Sequence, residues 1–151
     1  MNYDIIIIGA GVIGGMVARE LSRYDLDICL LEKENDVAMG ASRANSGIVH
    51  GGYDPEPNTL KAKLNVEGVE KLFDTANKLH VPCKRNGSFV CAFSEEETET
   101  LTELYERGIE NGVTDMEILD AKQIHELEPH VGDNVVGALY AKTGGIVCPY
   151  G

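Results

Sequence analysis

The 151-residue chain is short of basic side chains: 13 Lys and Arg stand against 25 Asp and Glu, a formal charge of −12 with the histidines neutral. A surface of that sign repels a phosphate backbone, which excludes a general nucleic-acid binder. Cysteine is sparse, at Cys29, Cys83, Cys91 and Cys148. No Cys-x-x-Cys pair and no histidine at metal-ligand spacing accompanies them, so neither a zinc site nor a dithiol redox motif is supported. Long apolar runs are missing too. Ile5–Ile8 is short, follows Asp4 and has no basic leader, so it reads neither as a signal peptide nor as an integral membrane segment, and the chain is expected to be soluble and cytoplasmic. Internal repeats and low-complexity tracts are absent. With 43% apolar and 25% charged residues the composition is ordinary globular usage, not disorder.

What is present begins with a nearly continuous β-branched run, Tyr3 to Ile8, the pattern of a parallel strand buried on both faces. A glycine cluster ends it. Ile13, Val17, Leu21 and Tyr24 then recur at helical spacing from Val12 to about Tyr24, with Gly14 and Ala18 offering a small surface for close approach to a sheet. Ile28–Leu31 is a second apolar run closing on Glu32, so strand, helix and strand form a βαβ unit within 32 residues. Residues 36–58 carry glycines and prolines without periodicity and read as an irregular functional segment. A helix is expected over Leu60 to Leu79. Asn86-Gly87 is a type I′ hairpin signal; counting outward pairs Arg85 with Ser88, Lys84 with Phe89 and Cys83 with Val90. Cys83 and Cys91 would then face opposite ways, predicting reduced, mostly buried thiols. Ser94 and Glu97 have capping-box spacing for an acidic helix reaching Asn111 and stopped by Gly112, with Glu103 and Arg107 able to pair. Short elements follow: a strand at Glu117–Leu119, a capped helix from Asp120 to about Glu126, and a strand over Val135–Ala141.

Gly9-Ala10-Gly11-Val12-Ile13-Gly14 fits Gly-x-Gly-x-x-Gly, directly after a buried strand and at the head of a helix, and Glu32 lies 18 residues past Gly14 at the end of the next strand. That context is the dinucleotide fingerprint. Gly9 allows the tight turn, Gly11 lets backbone touch a pyrophosphate, and Gly14 permits close helix-to-strand packing. The phosphates would sit on free N–H groups at the positive end of the helix. Glu32 would accept from the adenosine ribose hydroxyls, and its charge disfavours a 2′-phosphate despite Lys33 beside it. The fingerprint alone does not separate NAD from FAD.

The segment from Gly40 to Gly52 is similar to the second cofactor segment of the FAD-dependent oxidoreductases of the D-amino-acid-oxidase and glycerol-3-phosphate dehydrogenase (GlpA-like) superfamily. The stretch Asn-Ser-Gly-Ile-Val-His-Gly-Gly-Tyr, then Leu-Lys-Ala-Lys-Leu-Asn-Val-Glu-Gly, resembles the glycerol-3-phosphate dehydrogenases and also the L-2-hydroxyglutarate oxidases. The resemblance extends through Asn86-Gly87-Ser88 and Gly144 to Tyr150. It implies FAD as cofactor, with Gly9, Ile13 and Gly14 on the pyrophosphate, Glu32 and Lys33 at the adenosine, Ser42 reaching the phosphates, and Ser46, Gly47 and Ile48 approaching the flavin. His50 is the titratable group in this segment; it would orient substrate or tune the flavin, or else be satisfied by loop backbone, and both readings stay open. His80, His125 and His130 read as structural or exposed. Arg43 and Arg85 are the cations considered for an anionic substrate, and neither has supporting spacing.

The expected fold class is α/β, a Rossmann-like FAD-binding βαβ unit with a partial parallel sheet, followed by the start of an α+β substrate domain. Residues 1–80 are expected to be the N-terminal part of the FAD-binding domain and 81–151 the beginning of the substrate domain, because two buried strands call for more sheet than the chain supplies. The chain is therefore expected to be truncated, inactive alone, with its base and substrate arginines beyond residue 151. The expected function of the whole is oxidation of a small-molecule hydroxy substrate, sn-glycerol-3-phosphate first, by hydride transfer to flavin. An L-2-hydroxyglutarate-type oxidase is the alternative. A third reading is a non-catalytic piece that forms a homo-oligomer through its exposed sheet edge and binds no flavin tightly.

Overall fold

A computed structural model of the chain describes residues 2–150, which form two compact units: residues 2–46 with Tyr150, and residues 47–149. In the first, β1 (Ile5–Ile8), α1 (Val12–Leu21) and β2 (Ile28–Leu31) make the expected βαβ unit. The two strands are parallel, with Ile5 opposite Ile28 and Ile8 opposite Leu31. Gly9 N–H donates to the Leu31 carbonyl at 2.7 Å, carrying the ladder into the glycine turn. At the other end the Asp4 carboxylate accepts from Asp27 N–H at 2.9 Å and closes the turn before β2. Helix and strand touch at Gly14, where a Cβ would run into the Gly9 carbonyl and stand 3.4 Å from Ile7.

Burial on both strand faces is not what this unit shows. Ile7 is 9% exposed, but Ile6 is 56% and Ile8 87% exposed. The run is the signature of a strand covered above and below, and one helix on a two-stranded sheet leaves much of that apolar surface open.

The second unit holds β3 (Ile48–Val49), α2 (Leu60–Lys78), β4 (Cys83–Lys84), β5 (Ser88–Ala92), α3 (Glu97–Glu110), β6 (Met116–Asp120), α4 (Ala121–Leu127), β7 (Gly137–Ala141) and β8 (Gly145–Val147). They build two antiparallel sheets, ordered β3-β8-β4 and β5-β7-β6. Val69 and Phe73 of α2 pack on Val49, Cys83 and Val147 of the first sheet. The second sheet is covered twice: Leu101 of α3 packs with Leu139 and Ala141, and Ile124 of α4 with Ala138 and Leu119. The central strand β7 thus sends alternate side chains into two separate cores, and it reads as apolar throughout for that reason. Burial of each large side chain such as Leu101, Ile124 or Leu139 contributes about 1.5–3 kcal/mol.

The expected hairpin at Asn86-Gly87 does not form. A type I′ turn needs positive φ at both central residues; Gly87 has φ +74° and Asn86 is not among the positive-φ residues. The chain runs straight on, from β4 in one sheet to β5 in the other. A second crossing, from β7 to β8, passes beside it, and Gly87 N–H donates to the Gly144 carbonyl at 3.1 Å where the two meet. A Cβ on Gly87 would enter the Tyr140 ring, so glycine is required there. Cys83 and Cys91 fall in different sheets, and all four cysteines are free and half-buried rather than buried.

Helix ends follow the sequence with one exception. Thr59 caps α2 by accepting from Ala62 N–H at 3.1 Å, and Asp120 and Gln123 form a reciprocal capping box on α4. On α3 half of the expected box forms: Ser94 Oγ accepts from Glu97 N–H at 3.4 Å, but the helix starts later, with Glu96 at the N-cap position, and the Glu97 carboxylate reaches back to Phe93 N–H at 2.7 Å instead of to Ser94 N–H. Arg107 pairs with Glu56 at 3.7 Å, not with Glu103. Among the described residues no helix is long and apolar enough to cross a membrane.

The α2 terminus carries strain. Val81 N–H returns to the Ala76 carbonyl at 2.8 Å and His80 N–H to Asn77 at 3.2 Å, a Schellman closure whose left-handed position is His80, φ +59°. A Cβ there costs about 1–2 kcal/mol, partly offset by the greater chain entropy of glycine. His80→Gly is therefore expected to raise unfolding stability by about 1 kcal/mol in urea titration; an unchanged or lower midpoint would contradict the strain.

Candidate functional site

The glycine turn is open. Gly9 has φ +99° with nothing near its missing Cβ, and Gly11 is an extended N-cap that supplies no capping side chain of its own. The cap comes from elsewhere in the unit: Ser42 Oγ accepts from Val12 N–H at 2.8 Å. Ser42 is itself held by its loop, in which Asn45 Nδ2 donates to the Ala41 and Ser42 carbonyls at 3.1 and 2.8 Å. Ala38 N–H donates to the Ala10 carbonyl at 3.0 Å and fastens the same loop to the turn. The amides of Gly11 and Ile13 have no acceptor among the described residues and head the first turn of α1.

Glu32 aims at this turn. Its Oε2 accepts from Ala10 N–H at 2.7 Å, and its Oε1 from Lys33 and Glu34 N–H at 2.9 and 3.1 Å. These amides, the one from Ala10 foremost, hold the carboxyl below the ordinary value of 4.5. A carboxylate offers about four acceptor positions, so three amides leave room for a hydroxyl donor. Lys33 is exposed and paired with Glu34 at 3.3 Å. The structure thus brings Gly9, Gly11, Ile13, Gly14, Glu32 and Ser42 together around one turn. Free amides beside a negative side chain with spare acceptor capacity fit a diphosphate carrying a ribose.

In the second unit, Gly47 has φ +67° and its carbonyl accepts from Val147 N–H at 2.8 Å. Val49 is buried, while Ile48 and His50 on either side of it are exposed, so β3 presents both on its open face. The His50 imidazole has no hydrogen-bond or ion-pair partner among the described residues. Ser46 is exposed at the end of the first unit. Arg85 is committed: its guanidinium forks onto Glu70 at 2.6 and 2.9 Å and stacks 4.5 Å over Phe73, which holds the Glu70 carboxyl low. Arg43 is exposed, lying 5.7 Å from the Tyr150 ring. Sequence reasoning missed Asn111 and Thr143, whose side chains donate to carbonyls of the loop after His50. The available signal was the aperiodic loop itself, whose backbone acceptors need partners from somewhere.

Residues 4–151 match the family described as FAD dependent oxidoreductase. The chain is 52% identical over 148 residues to the glycerol 3-phosphate dehydrogenase of Caloramator mitchellensis, covering 98% of this chain and 31% of that protein. It is 38% identical over 148 residues to the mitochondrial L-2-hydroxyglutarate dehydrogenase of Caenorhabditis briggsae, covering 97% of this chain and 34% of the relative. Among solved structures, L-alpha-glycerophosphate oxidase from Mycoplasma pneumoniae with FAD bound superposes with a TM-score of 0.90 at 35% identity, over 99% of this chain and 40% of that one. The chain spans about a third of the length of the curated relatives it matches.

Because the Glu32 carboxyl is held low in the folded state, its stabilisation is complete above the ordinary value of 4.5 and is lost as pH falls through the lower folded value. Following the Ala10 amide resonance with pH should show its hydrogen bond surviving below the ordinary carboxylate range and then releasing. Glu32→Gln should abolish that step, and a step unchanged in the variant would assign it to another group.

Proposed function

The chain belongs to the family of FAD dependent oxidoreductases, and from that premise we propose that it is the N-terminal part of a flavoenzyme oxidising a small hydroxy substrate, sn-glycerol-3-phosphate first. The observation that carries the reading is the open glycine turn with Glu32 and Ser42 pinned against it. On this reading residues 1–80 contribute the FAD-binding part and 81–151 begin the substrate domain. The Gly11 and Ile13 amides, in the turn framed by Gly9 and Gly14, receive the pyrophosphate at the N-terminus of α1, where the helix dipole favours negative charge. Ser42 accepts from Val12 through its oxygen and keeps its own proton to donate to a phosphate. Glu32 takes a ribose hydroxyl on its remaining acceptor position, with Lys33 alongside the adenosine.

FAD, when bound, supplies the two-electron acceptor for hydride leaving the carbon that bears the substrate hydroxyl. The chain's part is placement. Ser46, Gly47 and Ile48 offer a small, close backbone to a flat ring, and His50 on the open face of β3 orients the substrate hydroxyl or holds its proton. Arg85 meets no substrate anion, because Glu70 occupies its fork. The free thiols support a reducing, cytoplasmic compartment. The charge of −12 speaks against a nucleic-acid partner. Similarity to an L-2-hydroxyglutarate dehydrogenase supports that acid as the alternative substrate.

The test is flavin colour. Protein spanning the full length of the relatives is expected to purify yellow, and Glu32→Ala or Ser42→Ala to weaken FAD binding about tenfold or more, the effect of losing a charge-assisted hydrogen bond. Glycerol-3-phosphate added without air should bleach the flavin faster than L-2-hydroxyglutarate does. Colourless protein eluting as an oligomer would overturn the reading and favour self-association through the exposed Ile6 and Ile8 edge.

A further inference from the structure

The residues after His50 run to α2 as a loop with no strand or helix partner, yet four of its carbonyls are claimed by side chains from outside it. Thr143 Oγ1 donates to the Gly51 carbonyl at 3.0 Å. Asn111 Nδ2 donates to Gly52 at 3.2 Å and to Pro55 at 2.8 Å, and Arg107 Nη1 donates to Asp54 at 3.1 Å. The fit is close, since a Cβ on Gly51 would stand 3.0 Å from Thr143 Oγ1 and 3.1 Å from Ala141. Asn111 leaves its Oδ1 buried with no partner. An orphaned acceptor costs stability, and what the asparagine supplies in return is the amide that holds this loop.

Upstream of His50, β3 is two residues long, anchored by Val49 in the core and by pairing with β8. So short a strand fixes one side of the histidine only. The other side is fixed by the hydroxyl and the amide that grip the next two carbonyls.

We propose that Thr143 and Asn111 are positioning residues for His50: by capturing the Gly51 and Gly52 carbonyls they set where the imidazole meets substrate. The inference rests on the reading that His50 serves the flavin site. Displacement of a reacting group by about 1 Å costs on the order of a hundredfold in rate, so holding the adjacent backbone is a functional constraint as well as a structural one.

The test uses the full-length flavoprotein and compares Thr143→Val, which keeps the shape and removes the hydroxyl, with Thr143→Ser, which keeps the hydroxyl. Asn111→Ala is a second probe, and the Thr143 pair carries the test if that variant fails to fold. Ile124→Val, in the core of the α4 face, controls for general destabilisation. Hydrogen exchange over residues 50–55 is expected to accelerate about tenfold in Thr143→Val and Asn111→Ala, as for a lost hydrogen bond and its stranded partner. In both, kcat should fall more than KM rises. Thr143→Ser should match the parent, and Ile124→Val should change neither exchange in the loop nor kcat. Unchanged exchange and kcat in Thr143→Val, or equal changes in Ile124→Val, would overturn the proposal. Should His50→Ala leave substrate-dependent flavin reduction intact while Thr143→Val still frees the loop, the placement of His50 at the flavin site fails and the anchoring of the loop stands.

Discussion

One contact organises the first unit: the Glu32 carboxylate accepting from the Ala10 amide at 2.7 Å. It joins the end of β2 to the turn that leaves β1, so the two parallel strands are tied beyond their ladder. Charge-assisted hydrogen bonds of this kind are about twice as strong as neutral ones, and the low carboxyl value follows from them. With Ala10 held from one side by Glu32 and from the other by Ala38 N–H, the turn keeps an arrangement in which the Gly11 and Ile13 amides face no protein acceptor. The same carboxylate that builds the turn retains acceptor capacity for a ligand, which couples formation of the site to its occupancy.

The second unit solves a different problem. Two small sheets share a chain that crosses between them twice, at Gly87 and at Gly144, with one hydrogen bond stitching the crossings together. β7 fills two cores with alternate side chains, leaving the β3 end of the other sheet free to present Ile48 and His50. Its irregular loop is paid for with side-chain amides and hydroxyls rather than with a third strand.

The βαβ unit was legible because each part has its own period: the Ile run, the helical recurrence of Ile13, Val17 and Leu21, and the glycines between them. Asp120 with Gln123 was legible for the same reason, since a capping box is a local device. The sheet change at Asn86-Gly87 was not. That dipeptide reports what the backbone tolerates locally, whereas the partner of β4 is β8, more than sixty residues on, with Cys83 opposite Val147, and Gly145–Val147 is too short and glycine-rich to read as a strand. Glu32 was legible as a ribose acceptor by position, but its prior commitment to three amides depends on the turn's folded path. Thr143 and Asn111 lie 92 and 59 residues from the carbonyls they hold, Gly51 and Gly52, a distance no spacing rule spans.

The central claim is that this turn grips the ADP half of the cofactor. Its most direct measurement is a titration of the isotope-labelled protein with ADP alone, following every backbone amide. The account predicts shifts confined to Gly9–Gly14, Glu32–Glu34 and the Ser42 loop, saturating together with a single dissociation constant. Saturating shifts centred anywhere else, or none at millimolar ADP (about 4 kcal/mol of binding), would contradict it.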